Sequence, residues 1–404
     1  MQRKGRARPP GAPENALHGA GDAKAKAASQ AKRTPRTARR SVPIIEELRV
    51  SAFKIPTDQP ESDGTYKWDS TTLVLVEAEA GGKHSLGYGY ADGATAHLIE
   101  TKLKQVVLGR DAFSVSGSFI AMVESIRNLG RPGICSMAIS AVDTSLWDLK
   151  AKLLGQPLVR LFGQVREAMP IYGSGGFTSY TNEKLQEQLG GWVEEGIPRV
   201  KMKVGRDAAA DPERVAAARE AIGDEAELFV DANGAYSRKQ ALELAYVFSE
   251  LDVSWFEEPV SSDDLAGLHL MRNDGPPGMD IAAGEYGYDV TYFHRMLSAG
   301  AVDVLQADAT RCGGYTGFFQ AAVLCEAHHI PLSSHCAPAL HIPVGCSARP
   351  FRHAEYFHDH ARIEKMFFDG VPQPNDGALK PDLDRPGNGL EFKRQDAEKY
   401  ALAI

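Results

Sequence analysis

Short apolar stretches alternate with amphipathic stretches along the second half of the chain. The apolar stretches are rich in β-branched and aromatic residues, as buried strands are, and lie near 169–172, 199–204, 227–231, 253–257, 280–283, 302–306, 331–334 and 352–355. The spacers between them have the apolar spacing of helices that pack on a sheet. Eight strands in this alternation predict a closed barrel of the TIM type over residues 166–368, rather than an open sheet.

The region before the predicted barrel has a different pattern. Strand-like segments near 44–55 and 71–79, separated by a polar loop at 56–69, precede helical patterns near 94–107, 113–129 and 137–154. Strands followed by helices predict a small α+β domain over 43–165. The segment 369–404 is rich in Pro and Gly at its start, and we predict that it is extended and returns to this first domain.

The first 42 residues differ in composition from the rest. Positions 1–40 carry eleven Lys or Arg against two acidic residues, with almost no large apolar side chain. Such a segment buries too little surface to offset its ordering entropy, which predicts a disordered basic tail over 1–42. A nucleic-acid-binding arm and a transit peptide are alternatives, whereas the lack of an apolar h-region argues against a secretory signal.

Charge and cysteine content narrow the class of protein. The 404 residues are 43% hydrophobic and 24% charged, and the formal net charge of −8 argues against nucleic acid as the main partner. No stretch approaches the roughly 20 apolar residues of a membrane span. Five cysteines without C-x-x-C spacing indicate free thiols in a reducing cytoplasm rather than a zinc or disulfide framework. We expect a cytoplasmic homo-oligomer that acts on a small molecule, without a membrane partner.

Ionisable residues stand at the ends of the predicted barrel strands. From Lys203 onwards they recur at intervals of 23 to 28 residues. In chain order they are Lys201, Lys203, Asp231, Glu257, Glu285, Asp308 and His335. Because the carboxyl ends of barrel strands meet at one rim, these residues are predicted to share a site there.

Three of these residues, Asp231, Glu257 and Glu285, are carboxylates on successive strands. Each alone could be a helix N-cap or a barrel salt bridge, but three carboxylates brought together need a counter-charge. A hard divalent cation supplies it, and oxygen-only coordination favours Mg²⁺ over Zn²⁺, which prefers His or Cys ligands. The sequence therefore predicts a Mg²⁺ site.

The remaining residues suggest proton transfer on both sides of that metal. Period-two alternation places Lys201 and Lys203 on one face of a strand, and two ammonium groups beside Mg²⁺ lower each other's pKa, which suits a general base. Asp308 ends the sixth strand and His335 the seventh, so the carboxylate could orient the imidazole. Lys203 and His335 are then predicted to lie on opposite sides of the metal.

Other motifs are interpreted as structural. His358 and His360, with Asp359 between them, follow the last strand and are predicted to lie on the surface. The glycine-rich segments 87–90 and 173–176 lack the spacing of a dinucleotide or phosphate loop and are predicted to form turns.

Six short motifs of the predicted barrel occur together: Lys201-x-Lys203, Asp231-x-Asn233, Glu257-Glu258-Pro259, Gly284-Glu285, Asp308 before Gly313-Gly314, and Ser333-Ser334-His335. The segment 141–150 with the Gly-Gln-Pro that follows at 155–157, and the segment 386–391, accompany them. In this combination the chain resembles the enolase superfamily, in particular its mandelate racemase subgroup, over about residues 43–391.

The resemblance implies an α+β capping domain over a (β/α)7β barrel, with Mg²⁺ on Asp231, Glu257 and Glu285. It implies that Lys203 abstracts the proton α to a carboxylate, while Lys201 contacts that carboxylate. In the family the Mg²⁺ binds the same carboxylate and stabilises an enediolate intermediate.

The resemblance further implies that His335, held by Asp308, acts on the other face of the substrate. Glu355 falls where the family places an eighth-strand acid that hydrogen-bonds the intermediate, with Asp359 and Glu364 as nearby alternatives. Members with this lysine and histidine mostly dehydrate acid sugars to 2-keto-3-deoxy acids, and we predict that activity.

Two alternatives stay open. The same groups could racemise or epimerise an α-hydroxy acid by 1,1-proton transfer, and a barrel without catalysis could serve as a binding protein. Substrate choice in the family comes from capping-domain loops, here predicted at 55–68 and 88–94. Their polar residues suit a hydroxylated substrate better than an aromatic one.

Overall fold

A four-stranded antiparallel sheet comes first in the computed structural model, which describes residues 42–404. The predicted basic tail, apart from Val42, lies outside the described residues. Three long strands form the sheet with a short C-terminal one: β1 (Glu47–Ser62), β2 (Lys67–Ala80), β3 (Lys83–Tyr90) and β15 (Ala401–Leu402), in the order β15-β1-β2-β3. Because β15 pairs with β1 at Ala52 and Phe53, the predicted return of the C-terminal segment is confirmed.

Five helices follow the first three strands: α1 (Gly93–Leu98), α2 (Lys104–Val107), α3 (Val115–Ser125), α4 (Ile134–Leu154) and α5 (Leu158–Phe162), with a π-helical turn at Ile99–Leu103. The predicted helix at 137–154 is confirmed as α4, which ends at Gly155 in the left-handed conformation. One face of α4 packs on the sheet and buries Ala138, Val142 and Leu149 in the core of the capping domain.

Three segments predicted as loops or turns are strands instead. The polar loop predicted at 56–69 belongs largely to the hairpin of β1 and β2, which has a register shift between Pro56 and Glu61. Gly87 lies in β3, where an added Cβ would stand 2.4 Å from the Ala141 carbonyl oxygen. Gly173 lies in β4, where a Cβ would stand 2.6 Å from the Trp192 ring. These two glycines permit close helix packing rather than a turn.

Eight parallel strands then close into the predicted barrel: β4 (Met169–Gly175), β5 (Arg199–Lys203), β6 (Glu227–Asp231), β7 (Val253–Glu257), β8 (Asp280–Ala283), β9 (Val304–Ala307), β10 (Leu332–Ser334) and β11 (Phe351–Phe357). Neighbours pair in chain order, and β11 pairs with β4 to complete the ring. The lower interior is filled by Tyr172, Phe229, Trp255 and smaller side chains. The rim above them is therefore the available place for polar groups.

The outer layer consists of helices that follow the strands: α6 (Asn182–Glu194), α7 (Asp211–Ile222), α8 (Arg238–Ser249), α9 (Leu265–Asp274), α10 (Val290–Ser298), α11 (Gly314–His328), α12 (Pro338–Gly345) and α13 (His358–Phe367). The C-terminal segment adds β12 (Phe368–Asp369), β13 (Ala378–Leu379), β14 (Glu391–Phe392), α14 (Arg394–Ala397) and a 3₁₀ turn at Glu398–Tyr400. Within residues 42–404, no helix is long and apolar enough to cross a membrane. All five cysteines are buried and free, as predicted.

Candidate active site

Strand register places the first polar residues of the site side by side. Lys203 on β5 is the pairing neighbour of Asp231 on β6, and Asp231 is in turn the neighbour of Glu257 on β7. Glu285 follows β8 after Gly284, whose φ of 134° and close approach to the Gln306 backbone exclude a side chain there. Three carboxylates from three successive strands therefore meet at the rim, as the sequence predicted.

These three carboxylates fit a divalent cation. One oxygen from each of Asp231, Glu257 and Glu285 lies within 4.8 Å of the others, and all three residues are buried. The Oε2 atom of Glu285 is also buried and has no hydrogen-bond partner among the described residues. A buried carboxylate oxygen without a donor needs a positive partner, and an all-oxygen set suits Mg²⁺ better than Zn²⁺.

Lys201 and Lys203 both point into this cluster. The Nζ of Lys201 lies 2.6 Å from Glu257, 2.9 Å from Glu355 and 3.4 Å from Asp231, while that of Lys203 lies 2.5 Å from Asp231. Burial lowers the pKa of each lysine, but attraction to the facing carboxylates outweighs burial and raises both pKa values above their ordinary range. The carboxylates pair with the ammonium groups directly in this arrangement, and the lowering of the lysine pKa beside Mg²⁺ stays a prediction.

His335 and Asp308 form the predicted pair on the opposite side of the ring. The Nδ1 of His335 lies 2.8 Å from Oδ2 of Asp308, immediately beyond β10 and β9. This bond holds the Nε2 atom of the imidazole towards the site, where it lies 3.4 Å from Glu285. Burial raises the pKa of Asp308, but the hydrogen bond and charge of His335 outweigh it, so the pKa is lowered and Asp308 stays ionised.

Glu355 of β11 joins the two sides. Its Oε1 accepts a hydrogen bond from Ser174 at 2.6 Å, and its Oε2 accepts one from the backbone N–H of Cys336 at 2.9 Å. Together with the contact to Lys201 these bonds fix the carboxylate in the rim. The two alternatives are placed elsewhere, because Asp359 pairs with Arg362 and Glu364 accepts from Tyr88.

Two residues of the site were missed from the sequence. Arg311 donates to the backbone oxygen of Glu285 at 3.2 Å and to its carboxylate at 3.3 Å, and it stands 3.7 Å from Asp308, so it links Glu285 to the histidine pair. The thiol of Cys336 lies 3.1 Å from Nε2 of His335. Both follow predicted residues closely in sequence, but nothing in their own residue type separates them from ordinary surface or core positions.

The prediction that the segment 358–360 lies on the surface is wrong. Asp359 is fully buried, and the ring of His360 stacks on Tyr90 at a centroid distance of 3.4 Å. His358 is half-buried and contacts Asp58 at 3.0 Å. The reason is that α13 begins directly after β11, beneath the hairpin of the capping domain.

The fold and the site define a class of closed barrel in which three strand-end carboxylates are flanked by a lysine and a histidine. Two family descriptions match almost the whole described chain: the mandelate racemase / muconate lactonizing enzyme N-terminal domain over residues 50–163, and the enolase C-terminal domain-like family over 184–397. The chain belongs to the mandelate racemase / muconate lactonizing enzyme family of the enolase superfamily, which confirms the resemblance.

Relatives with assigned activities act on acid sugars. A 3,6-anhydro-α-L-galactonate cycloisomerase of Streptomyces coelicolor is 32% identical over 363 residues, which cover 87% of this chain and 98% of the relative. An L-talarate/galactarate dehydratase of Salmonella typhimurium is 31% identical over 322 residues, covering 76% and 80%. The chain is thus similar both to dehydratases and to cycloisomerases.

Solved structures confirm the fold. A mandelate racemase/muconate lactonizing enzyme-like protein from Rubrobacter xylanophilus is 55% identical, with a TM-score of 0.88 over 89% of this chain and 100% of its own. A racemase from Streptomyces coelicolor with bound magnesium is 31% identical, with a TM-score of 0.84 and the same two coverages. The predicted cofactor is therefore the ion that a solved relative holds.

Proposed function

We propose that this protein removes the proton α to the carboxylate of an acid sugar and then eliminates the β-hydroxyl group, giving a 2-keto-3-deoxy acid. The observation that carries the proposal is the placement of Lys203 and the pair of His335 and Asp308. They stand on the second and seventh strands of the eight, on either side of the three carboxylates. A substrate held by the carboxylate end is then flanked by two proton-transfer groups.

Asp231, Glu257 and Glu285 would hold the Mg²⁺. When bound, the ion would offset the negative charge that develops on the substrate carboxylate as the α-proton leaves. The magnesium in the Streptomyces coelicolor relative supports this assignment, as do the close approach of the three carboxylates and the buried Oε2 of Glu285, which makes no hydrogen bond within residues 42–404.

Lys203 is the proposed base for the α-proton. Its present partner, Asp231, is one of the proposed ligands, so engagement of Asp231 elsewhere would release the amine from its strongest ion pair. Lys201 lies one layer deeper, 5.2 Å from the centre of the Tyr172 ring, and keeps its contact with Glu355. It would then position the substrate carboxylate and lower the pKa of Lys203 by charge repulsion.

His335 is the proposed acid for the leaving group. Since Asp308 engages Nδ1, the Nε2 atom carries the transferable proton. As the bond from the β-carbon to the hydroxyl oxygen breaks, Nε2–H donates its proton and water leaves. The enol that remains gains a proton at the β-carbon and loses the proton of its hydroxyl group as it becomes the 2-keto acid. Lys203 releases the α-proton to solvent, and the neutral histidine regains its proton from solvent.

Two other reactions use the same first step. Cycloisomerisation, favoured by the Streptomyces coelicolor relative, replaces the hydroxyl leaving group by a ring oxygen that stays attached to the product. Racemisation or epimerisation of an α-hydroxy acid returns the proton from the opposite face. The three reactions differ in what leaves the β-carbon: a hydroxyl group in dehydration, a ring oxygen in cycloisomerisation, and nothing in racemisation or epimerisation.

The test is a panel of acid sugars incubated with the purified protein and Mg²⁺ in D₂O. We expect Mg²⁺-dependent release of a 2-keto acid, with one deuterium at carbon 3 of the product. Exchange of the α-proton without a 2-keto product would favour racemisation. If no acid sugar exchanged its α-proton, the proposed chemistry would be wrong.

A further inference from the structure

One part of the ring of strands carries no group that transfers a proton in the proposed chemistry. The carboxylates occupy β6, β7 and β8, while Lys203 and His335 stand on β5 and β10. The strands opposite the carboxylates are β11 and β4, which pair with each other. A substrate whose carboxylate faces the metal therefore extends its other end over β11 and β4, and we call this region the distal half.

The hairpin of β1 and β2 covers the distal half. Its turn is tied to the loop after β4, since Ser62 accepts a backbone hydrogen bond from Thr178 at 2.8 Å and their hydroxyl groups lie 2.7 Å apart. At the tip, a Cβ on Gly64 would stand 2.4 Å from the Ala232 carbonyl oxygen, directly after Asp231. The hairpin thus reaches from the distal half to the metal-facing carboxylates.

Aromatic side chains form a continuous wall beneath the hairpin. The Trp68 ring packs edge-on against Phe177 at 5.5 Å, and Phe177 packs against Phe357 at 5.7 Å. Cys336 belongs to the same buried cluster and contacts His335. The wall therefore runs from the hairpin to the proposed catalytic acid.

The carboxyl group of Glu61 lies in this wall, and only one of its two oxygens makes a hydrogen bond within the described residues. Glu61 is 1% exposed, and its Oε2 accepts a hydrogen bond from the Trp68 indole at 2.7 Å. Its Oε1 is buried and has no hydrogen-bond partner in the described part of the chain. A buried polar atom without a partner costs about 1–3 kcal/mol, so a ligand group that supplies one would be favoured there.

The surroundings of Glu61 disfavour additional negative charge. Burial, followed by the charge of Asp359, raises the pKa of Glu61 to about 8. The neighbouring cation Arg362 is already engaged, because it donates to Asp359 at 3.1 Å and to the Pro56 carbonyl at 2.8 Å, and it lies 3.5 Å from Asp58. A second carboxylate on the substrate would lose its hydration in the same buried surroundings and would be repelled by the same neighbour, Asp359.

We propose that Glu61 positions the end of the substrate remote from the reacting carboxylate by hydrogen-bonding a neutral hydroxyl group, so that the protein selects acid sugars with one carboxylate over those with two. The inference rests on the proposed function and specifies its substrate class. The aromatic faces of Trp68 and Phe177 would pack on the C–H surface of the same sugar.

The first test uses the unaltered protein with Mg²⁺. Pairs of acid sugars that share every stereocentre and differ only in a terminal CH₂OH or carboxylate are compared by kcat/KM. We expect the monocarboxylate of a productive pair to be preferred by about tenfold or more. Equal or better turnover of the dicarboxylate would overturn the inference while leaving the dehydration chemistry in place.

The second test asks whether Glu61 causes the preference. Glu61→Met removes both oxygens at similar length, whereas Glu61→Gln keeps an acceptor for Trp68 and a donor for the substrate. We expect Glu61→Met to raise KM for the monocarboxylate by about ten- to a hundredfold with a much smaller change in kcat, and Glu61→Gln to stay within a few-fold of the parent protein. Glu47→Met, on the exposed part of the same strand, is the matched control and should change nothing.

The outcomes separate the two proposals. If Glu61→Met kept the parent KM and the parent preference, Glu61 would have no role in recognition, although dehydration would stand. If the parent protein dehydrated no acid sugar of either kind, the proposed function would fail and the inference with it. Thermal unfolding of each variant, measured alongside, distinguishes a lost contact from a lost fold.

Discussion

Between the ends of β6, β7 and β8 the mouth of the barrel is lined by three carboxylates, whereas over β11 and β4 it is lined by aromatic rings beneath a hairpin of the capping domain. The first region, which we call the metal half, is built from residues on the strands themselves. The distal half takes Glu61 and Trp68 from β1 and β2, more than 100 positions earlier than the barrel strands they cover. The metal half consists of barrel residues alone, whereas the distal half combines residues of the barrel and of the capping domain.

This difference explains how one site can keep a reaction while changing its substrate. The register of parallel strands fixes Lys203, Asp231 and Glu257 at one level, so the metal half cannot move without disrupting the sheet. A hairpin can change its side chains without altering that register. We therefore assign the proton chemistry to the metal half together with His335, and the choice of acid sugar to the distal half.

The largest expected effect is loss of the metal. Chelation should abolish turnover, and added Mg²⁺ should restore it, because without the ion nothing offsets the charge that develops on the substrate carboxylate. Replacing Glu257 by Gln should reduce kcat by about a thousandfold or more, a loss of the size seen when electrostatic stabilisation is removed. Circular dichroism should remain unchanged, since rim residues do not carry the barrel packing. Full activity in excess chelator would refute the assignment of the metal half.

The next effect separates the two proton-transfer groups. His335→Asn should stop formation of the 2-keto acid, yet exchange of the α-proton with solvent should remain measurable because Lys203 is still present. Lys203→Ala should abolish both product and exchange. For substrates of the opposite α-configuration the two patterns should be reversed. Near-parental turnover in both variants would show that the catalytic axis lies elsewhere.

Much of the metal half could be predicted from the sequence, while the distal half could not. Polar residues at the ends of apolar strands stand out at regular intervals, and parallel strands bring such residues together whatever the loops do. Glu61 and Trp68 lie in the segment 55–68, which the family resemblance assigned to substrate choice, but its many polar residues resembled a loop. The burial of these two side chains depends on packing against the other domain, such as that of Trp68 on Phe177. The burial of residues 358–360 was missed for the same reason, since the covering hairpin is distant in sequence.

A smaller effect is expected at the tip of the hairpin, which touches both halves. Gly64→Ala would place a methyl group against the backbone oxygens of Ala232 and Val204, at 2.4 and 2.8 Å, so the hairpin must shift outward. We expect KM to rise by about tenfold with little change in kcat, because the displaced hairpin would pack less closely on the substrate. A tenfold rise corresponds to about 1.4 kcal/mol of lost binding free energy. Gly191→Ala, on the outer helix α6, where an added Cβ meets nothing within 4 Å, is the control. A change in kcat alone would show that the tip supports the metal half instead.

The smallest effect concerns stability where the capping domain meets the barrel behind the distal half. Glu364 on α13 accepts hydrogen bonds from the Tyr88 hydroxyl at 2.6 Å and from the Ala339 backbone at 3.0 Å, and burial raises its pKa to about 8. An unfolded glutamate has an ordinary pKa near 4.5. Between pH 4.5 and about pH 8, Glu364 is therefore protonated in the folded protein and ionised in the unfolded chain.

The free energy of unfolding contributed by Glu364 is therefore fully present below about pH 4.5 and declines as the pH rises towards 8. Glu364→Gln cannot titrate, so its melting temperature should fall less than that of the parent between pH 5 and pH 8, by roughly 2 °C for each kcal/mol of the Glu364 contribution. The exposed Glu398→Gln is the matched control and should keep the parental slope. Identical slopes for the parent and Glu364→Gln would show that Glu364 is already ionised over this pH range, and that Tyr88 and Ala339 donate to a carboxylate at the junction between the domains.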